Sequence, residues 1–225
     1  MASDSLREEQ LESEWEAAPS LGLVIGLQVA LASTSAAEHW RTWGLQWWIW
    51  LVPLAPELVL LVLLTWHRPR KRLEEVGLRR MVSLSVLGFL SAANGFLIVV
   101  VIASLVSGDE RSGAQLLLKG LTVWSTNVVS FGIWYWALDA GGPVARRRTP
   151  PPEPDFQFPQ TGNSRKRWEP HLFDYIYVSF TNSIAFSPTD AMPLTRPAKQ
   201  LMLFESTVSA LTLLLVAARA VNILR

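Results

Sequence analysis

Few side chains in this 225-residue sequence can do chemistry, and most of them are embedded in apolar runs. Glu57 follows two prolines at the start of one run, Asn94 and Asn127 interrupt two others, and Glu205, Arg219 and Asn222 lie in the last. A charged or amide group in such a setting needs a partner, a proton or a cation, because hydrocarbon leaves it unsolvated. For Glu57 two readings stand open: a proton or cation site, or a structural carboxylate paired with Lys119 or Arg219 or held near the interface behind the prolines. Arg219 and Asn222 share one helical face near the end of their run, where a long cation can snorkel to the headgroups. The densest polar group is Thr181, Asn182 and Ser183, followed by Ile184, Ala185, Phe186, Ser187 and Asp190. These residues either line a path or satisfy one another. Enzymatic chemistry has little to build on. There is no Cys, the three His are far apart and outside the apolar runs, and no Ser/His/Asp or paired-carboxylate set is visible. The expectation is a protein that is not an enzyme and that holds no metal and no cofactor.

The elements that must position these residues are membrane helices. Half of the chain is hydrophobic, only 17% is charged, and 11 Trp stand against 3 Tyr. Indole rings concentrate where hydrocarbon meets water. Mean hydropathy is +0.24. A net charge of +1 with the cations in short clusters gives no footprint for nucleic acid.

Four regions follow from the composition: an acidic N-terminal tail (1–18), a four-helix transmembrane region (19–139), a Pro-rich basic linker expected to be extended (140–172), and a C-terminal part (173–225). Residues 19–35 are barely long enough to cross about 30 Å of hydrocarbon. Trp40, Trp43, Trp47, Trp48 and Trp50 form an interfacial belt ahead of a second span at 51–66, whose first turns Pro53 and Pro56 should kink or loosen. The third span, 81–107, carries Gly88, Ala92 and Gly95 at intervals of four and three, a stripe suited to close helix approach. The fourth is 114–138. The basic loops 68–80 and 146–167 fall on one side of the hairpin made by spans three and four, which the positive-inside bias assigns to the cytoplasm.

Residues 173–186 are apolar enough for membrane depth but too short to cross it. A turn rich in proline follows, and then a long apolar run, 198–224. Half-helix, irregular polar stretch, Asp-x-x-Pro-x-Thr and long helix together resemble the two-helix pore domain of the potassium-channel superfamily. By that resemblance 183–187 lie over the selectivity filter, Asp190 over the acidic residue that closes it, and Pro193 and Thr195 over the Pro-x-Thr ahead of the inner helix. Ala185 and Ser187 replace the filter glycines, whose backbone conformations are closed to L-residues, and Pro188 and Thr189 add two positions before Asp190. The usual carbonyl cage is therefore not implied. The charge bias brings this loop in from the cytoplasm, as in ionotropic glutamate receptors, whereas the resemblance to potassium channels implies entry from outside, and both orientations stay open. The whole chain, with FGIWYW, PDFQFP, SFTNSIAFSPTDAMPLT and VAARAVNIL, is similar to a group of uncharacterised bacterial multispan integral membrane proteins.

The expected fold class is all-α: a polytopic helical membrane protein with about five transmembrane helices and one re-entrant half-helix. The expected location is a bacterial inner membrane, with the lipid bilayer as the first partner. The expected function is a pore-forming, ion-channel-like subunit with a degenerate filter, which would pass a monovalent cation. The alternative is a non-conducting scaffold or accessory membrane protein. A homo-oligomer is expected, its central contacts drawn from 173–186 and from the stripe Glu205, Ser209, Thr212, Val216, Arg219 and Ala220.

Overall fold

A computed structural model describes residues 17–65, 79–108, 112–146, 150, 152–163, 168–185, 187 and 191–223. The acidic tail up to residue 16, most of the first basic loop, the hairpin 109–111, Arg147, Arg148, the basic group 165–167, Phe186 and Asp190 lie outside the described residues, as does the side chain of Asn222.

Six helices carry the architecture: α1 (Ala17–Ala37), α2 (Leu54–Thr65), α3 (Arg79–Ser107), α4 (Gly113–Leu138), α5 (Leu172–Ala185) and α6 (Arg196–Ile223). Of these, α1, α3, α4 and α6 are long and apolar enough to cross a membrane. The protein is an all-α, multi-pass helical membrane protein. Much of the apolar surface of these spans faces outward, with Phe89 72% and Leu203 70% exposed. The exception is α4, whose most apolar stretch is 72% buried, against 28–39% for the other three.

The second expected span has a different shape. Trp47–Leu51 form a 3-10 turn, and α2 runs for 12 residues, about 18 Å of rise. Its prolines start the helix and do not kink it. Pro53 precedes α2 and accepts the Glu57 N–H at its carbonyl, while Pro56 occupies the first turn, where a missing N–H costs nothing. Ahead of it, Trp43 and Gly44 both have positive φ (50° and 75°), and Thr42 and Leu45 exchange both backbone hydrogen bonds, a tight two-residue reversal. Trp43, Trp47 and Trp48 are exposed, as an interfacial belt requires, whereas Trp50 is buried.

The chain divides into two compact units. The first, Met1–Asn127 with Leu211–Arg225, packs α1 on the 3-10 turn and on α2, and α2 on α3. Its core includes Leu21, Leu31, Trp50, Leu60, Leu87, Leu97 and Leu116. Gly88 and Gly95 have nothing within 4 Å of an added Cβ, so among the described residues the expected close approach does not occur at these two positions of the stripe. Close approach falls at Gly120, where a Cβ would meet Val216 at 3.0 Å.

The second unit, Val128–Ala210, is built around Phe131, Tyr135, Phe156, Phe158, Tyr175, Val178 and Met202. Phe156 and Phe158 come from the stretch expected to be an extended linker. Their rings pack edge-on or tilted against Tyr135, Tyr175 and Trp168 at 5.2–6.2 Å, so this part of the linker is core. Phe156–Gln157 (β1) and Met192–Pro193 (β2) pair antiparallel. Gly132 lets α5 lie close, since a Cβ there would sit 2.7 Å from Ile176 Cγ1 and 2.8 Å from its Cα.

Candidate functional site

Helix α5 has its polar side inward. Phe173, Tyr177, Phe180 and Ile184 recur at intervals of four and three and are 44–73% exposed, while Leu172, Tyr175, Val178, Ser179, Asn182 and Ser183 are buried. A helix with an apolar outer stripe and hydroxyl and amide groups inside suits lipid. Its start is fixed by Asp174, whose carboxylate accepts the His171 N–H at 2.7 Å in the manner of a capping box.

The inward groups meet Glu205, which is fully buried in the third turn of α6. Tyr135 Oη donates to Oε2 at 2.5 Å, Asn182 Nδ2 donates to the same oxygen at 2.7 Å, and Ser179 Oγ pairs with Oε1. Ser179 Oγ also lies 2.8 Å from Val128 O, so its single hydrogen serves two acceptors. Asn182 in turn donates to Met202 O and accepts from Ser206 Oγ. Glu205 thus draws α4, α5 and α6 together in one hydrogen-bonded set. In the third turn it is beyond the reach of the helix dipole, which fades within the first turn, and the neutral donors act on it directly.

A second carboxylate closes the other end of this unit. After α4, Ala140, Gly141 and Gly142 all take positive φ (49°, 77° and 97°) and turn the chain sharply, which leaves Asp139 2% exposed. Asp139 accepts from the backbone N–H of Asp155 (2.7 Å) and Phe156 (3.1 Å) and from Tyr175 Oη (2.5 Å). Arg146 lies 3.7 Å from Oδ2, the oxygen that Tyr175 also reaches, and 5.4 Å above the Tyr175 ring. Asp155 then accepts from Thr195 Oγ1 at 2.5 Å and from the Ala140 N–H, and Leu194 N–H reaches its carbonyl. Thr195, read as part of a Pro-x-Thr, is in place at the start of α6, its carbonyl accepting the Lys199 N–H.

The first unit holds a different polar layer near the middle of its helices. Gln28 Nε2 donates to Glu57 Oε1 at 2.7 Å and to Thr126 Oγ1 at 3.3 Å, and Asn94 Nδ2 reaches Asn127 Oδ1 at 3.5 Å. All five residues are buried. The expected cationic partners of Glu57 are engaged elsewhere. Lys119 Nζ lies 3.5 Å from Arg41 O and 6.0 Å from the Trp50 ring, and Arg219 Nη2 lies 3.5 Å from Gly108 O. An amide from α1 takes the role assigned to a cation.

Among the filter-like residues, Asn182 and Ser183 are buried, Thr181 is half-buried with its hydroxyl returned to the Tyr177 and Val178 carbonyls, and Ile184, Ala185 and Ser187 are exposed. Residues 181–185 are helical. The α6 stripe is one face as expected, with Glu205, Ser209 and Thr212 at most 3% exposed, Val216 8% and Ala220 9%, but a single chain buries it. Glu205, Ser209 and Thr212 are thus already covered within one chain. Residues not singled out by the sequence include Gln28, Thr126, Asp139, Asp155, Tyr175 and Ser179. Among the described residues no group of three His, Cys, Asp or Glu converges on a metal-sized site. An open cleft of about 410 Å³, lined by Ser35, His39, Trp40, Arg41 and Gln46, contains none of the carboxylate networks. No family model, curated protein or solved structure matches the chain; what is established is a multi-pass helical membrane protein.

Proposed function

We propose that this chain is a non-conducting scaffold or accessory subunit of a bacterial inner membrane, in which α5 is a structural half-helix. One observation carries this reading: 181–185 continue α5 as helix, with Asn182 tied to Glu205. A selectivity filter needs successive residues in a non-helical backbone that turns their carbonyls onto a pore axis, whereas the carbonyls of a helix all point along the helix itself. Purified protein in liposomes, assayed for monovalent-cation flux under an applied potential, should give the leak of protein-free vesicles. Unitary cation currents would refute it.

A second reading, a pore-forming homo-oligomer passing a monovalent cation, draws support from the 14-residue length of α5 and the long α6 behind it. In that reading the path runs beyond the exposed Ile184, Ala185 and Ser187, and several copies are needed because one loop cannot surround an axis.

A further inference from the structure

Donor counting around Glu57 leaves a specific deficit. Thr126 spends its hydroxyl hydrogen on Thr122 O at 2.9 Å, so its oxygen is the acceptor for Gln28 Nε2. This fixes the amide orientation: both Gln28 N–H bonds are committed, one to Thr126 Oγ1 and one to Glu57 Oε1. Among the described residues two oxygens find no donor, Gln28 Oε1 and Glu57 Oε2, on residues that are both 0% exposed. The pair is joined by an N–H···O bond on one side and lacks the matching O–H···O bond on the other.

We propose that Glu57 is a proton-binding site: its Oε2 takes up one proton from the aqueous phase and the resulting carboxylic acid donates to Gln28 Oε1. The step forms an O–H bond and leaves a neutral acid–amide pair. Among the described residues the charged groups on the helices around it are few. α1 has none; α2 has Glu57 itself; α3 has Arg79 and Arg80 at its start; α4 has Lys119; and the part of α6 in this unit has Arg219. Lys119 and Arg219 make the carbonyl contacts given above, so the partner nearest Glu57 is a neutral amide. A metal cation is the weaker occupant, since Glu57 Oε1 already faces an N–H donor. The site stands whether or not the chain conducts.

Infrared spectroscopy of the full chain in lipid nanodiscs, titrated with pH, tests it. A buried carboxylic-acid carbonyl band should appear in the wild type, shift in D2O, and disappear in Glu57→Gln. In Gln28→Leu the band should persist at a changed frequency, because the hydrogen-bonded partner is gone; this keeps the test decisive should Glu57→Gln fail to fold. A band removed instead by Glu205→Gln and unmoved by Gln28→Leu would overturn the proposal. So would its removal by sodium at fixed pH, which would make the occupant a metal cation.

Discussion

The Tyr135 hydroxyl donates to the Glu205 carboxylate at 2.5 Å, joining α4 to α6 across 70 positions of sequence. Both groups are buried, so neither has water as an alternative partner. Tyr135→Phe should therefore destabilise the protein by about 1.5–3 kcal/mol, the range for a hydrogen bond to a charged group. In a double-mutant cycle with Glu205→Gln, read by unfolding in mixed detergent, the two losses should fall well short of additivity. Additive losses would mean the pair is not coupled.

Asp139 should act as the clasp for the PDFQFP segment. Asp139→Asn exchanges one acceptor oxygen for an N–H₂ that faces either the backbone N–H groups of Asp155 and Phe156, which share Oδ1, or the Tyr175 hydroxyl on Oδ2. Hydrogen exchange at residues 155–158 should accelerate by at least tenfold, about 1.4 kcal/mol of lost protection, while exchange in α1 and α3 should stay as in the wild type.

Much of this architecture is written in the apolar runs. The spans at α1, α3, α4 and α6, the half-helix at α5 and the face of α6 all follow from length and from three-and-four spacing. What those signals do not carry is which neighbour a polar side chain meets. Glu57 follows two prolines and so looked ready for a cation, yet its partner is Gln28, a neutral residue from another helix. Phe156 and Phe158 sit amid prolines and charges, and nothing local distinguishes an aromatic in a linker from one folded back into a core. A usable signal was present in the tyrosines: only three occur, and two of them, Tyr135 and Tyr175, are buried against carboxylates.

The glycines separate by position in a way that substitution can read. Gly132→Ala places a Cβ against Ile176 backbone at 2.8 Å and should cost about 1–3 kcal/mol as overpacking. Gly88→Ala and Gly95→Ala meet open space and should be neutral or slightly stabilising through helix propensity. Thermal unfolding of the three variants in one detergent gives the ranking.

The charge bias of the loops predicts their side of the membrane. The chain has no Cys, so single cysteines report cleanly. Introduced at Gly77 and at Ser164, they should be protected from impermeant thiol reagents in intact cells, and one at Ser112 should be labelled. The reverse pattern would invert the topology.

Helix α5 turns its hydroxyl and amide groups into the protein and holds Ser179 and Asn182 there through Glu205. Single cysteines at Ser179, Asn182, Ser183, Tyr177 and Ile184, probed with a water-soluble methanethiosulfonate in reconstituted bilayers, read this arrangement out. Cysteines at Ser179, Asn182 and Ser183 should not react, because these positions are buried. Rapid modification at Asn182 and Ser183, the two flanking positions remaining inert, would show those residues facing water and would contradict it.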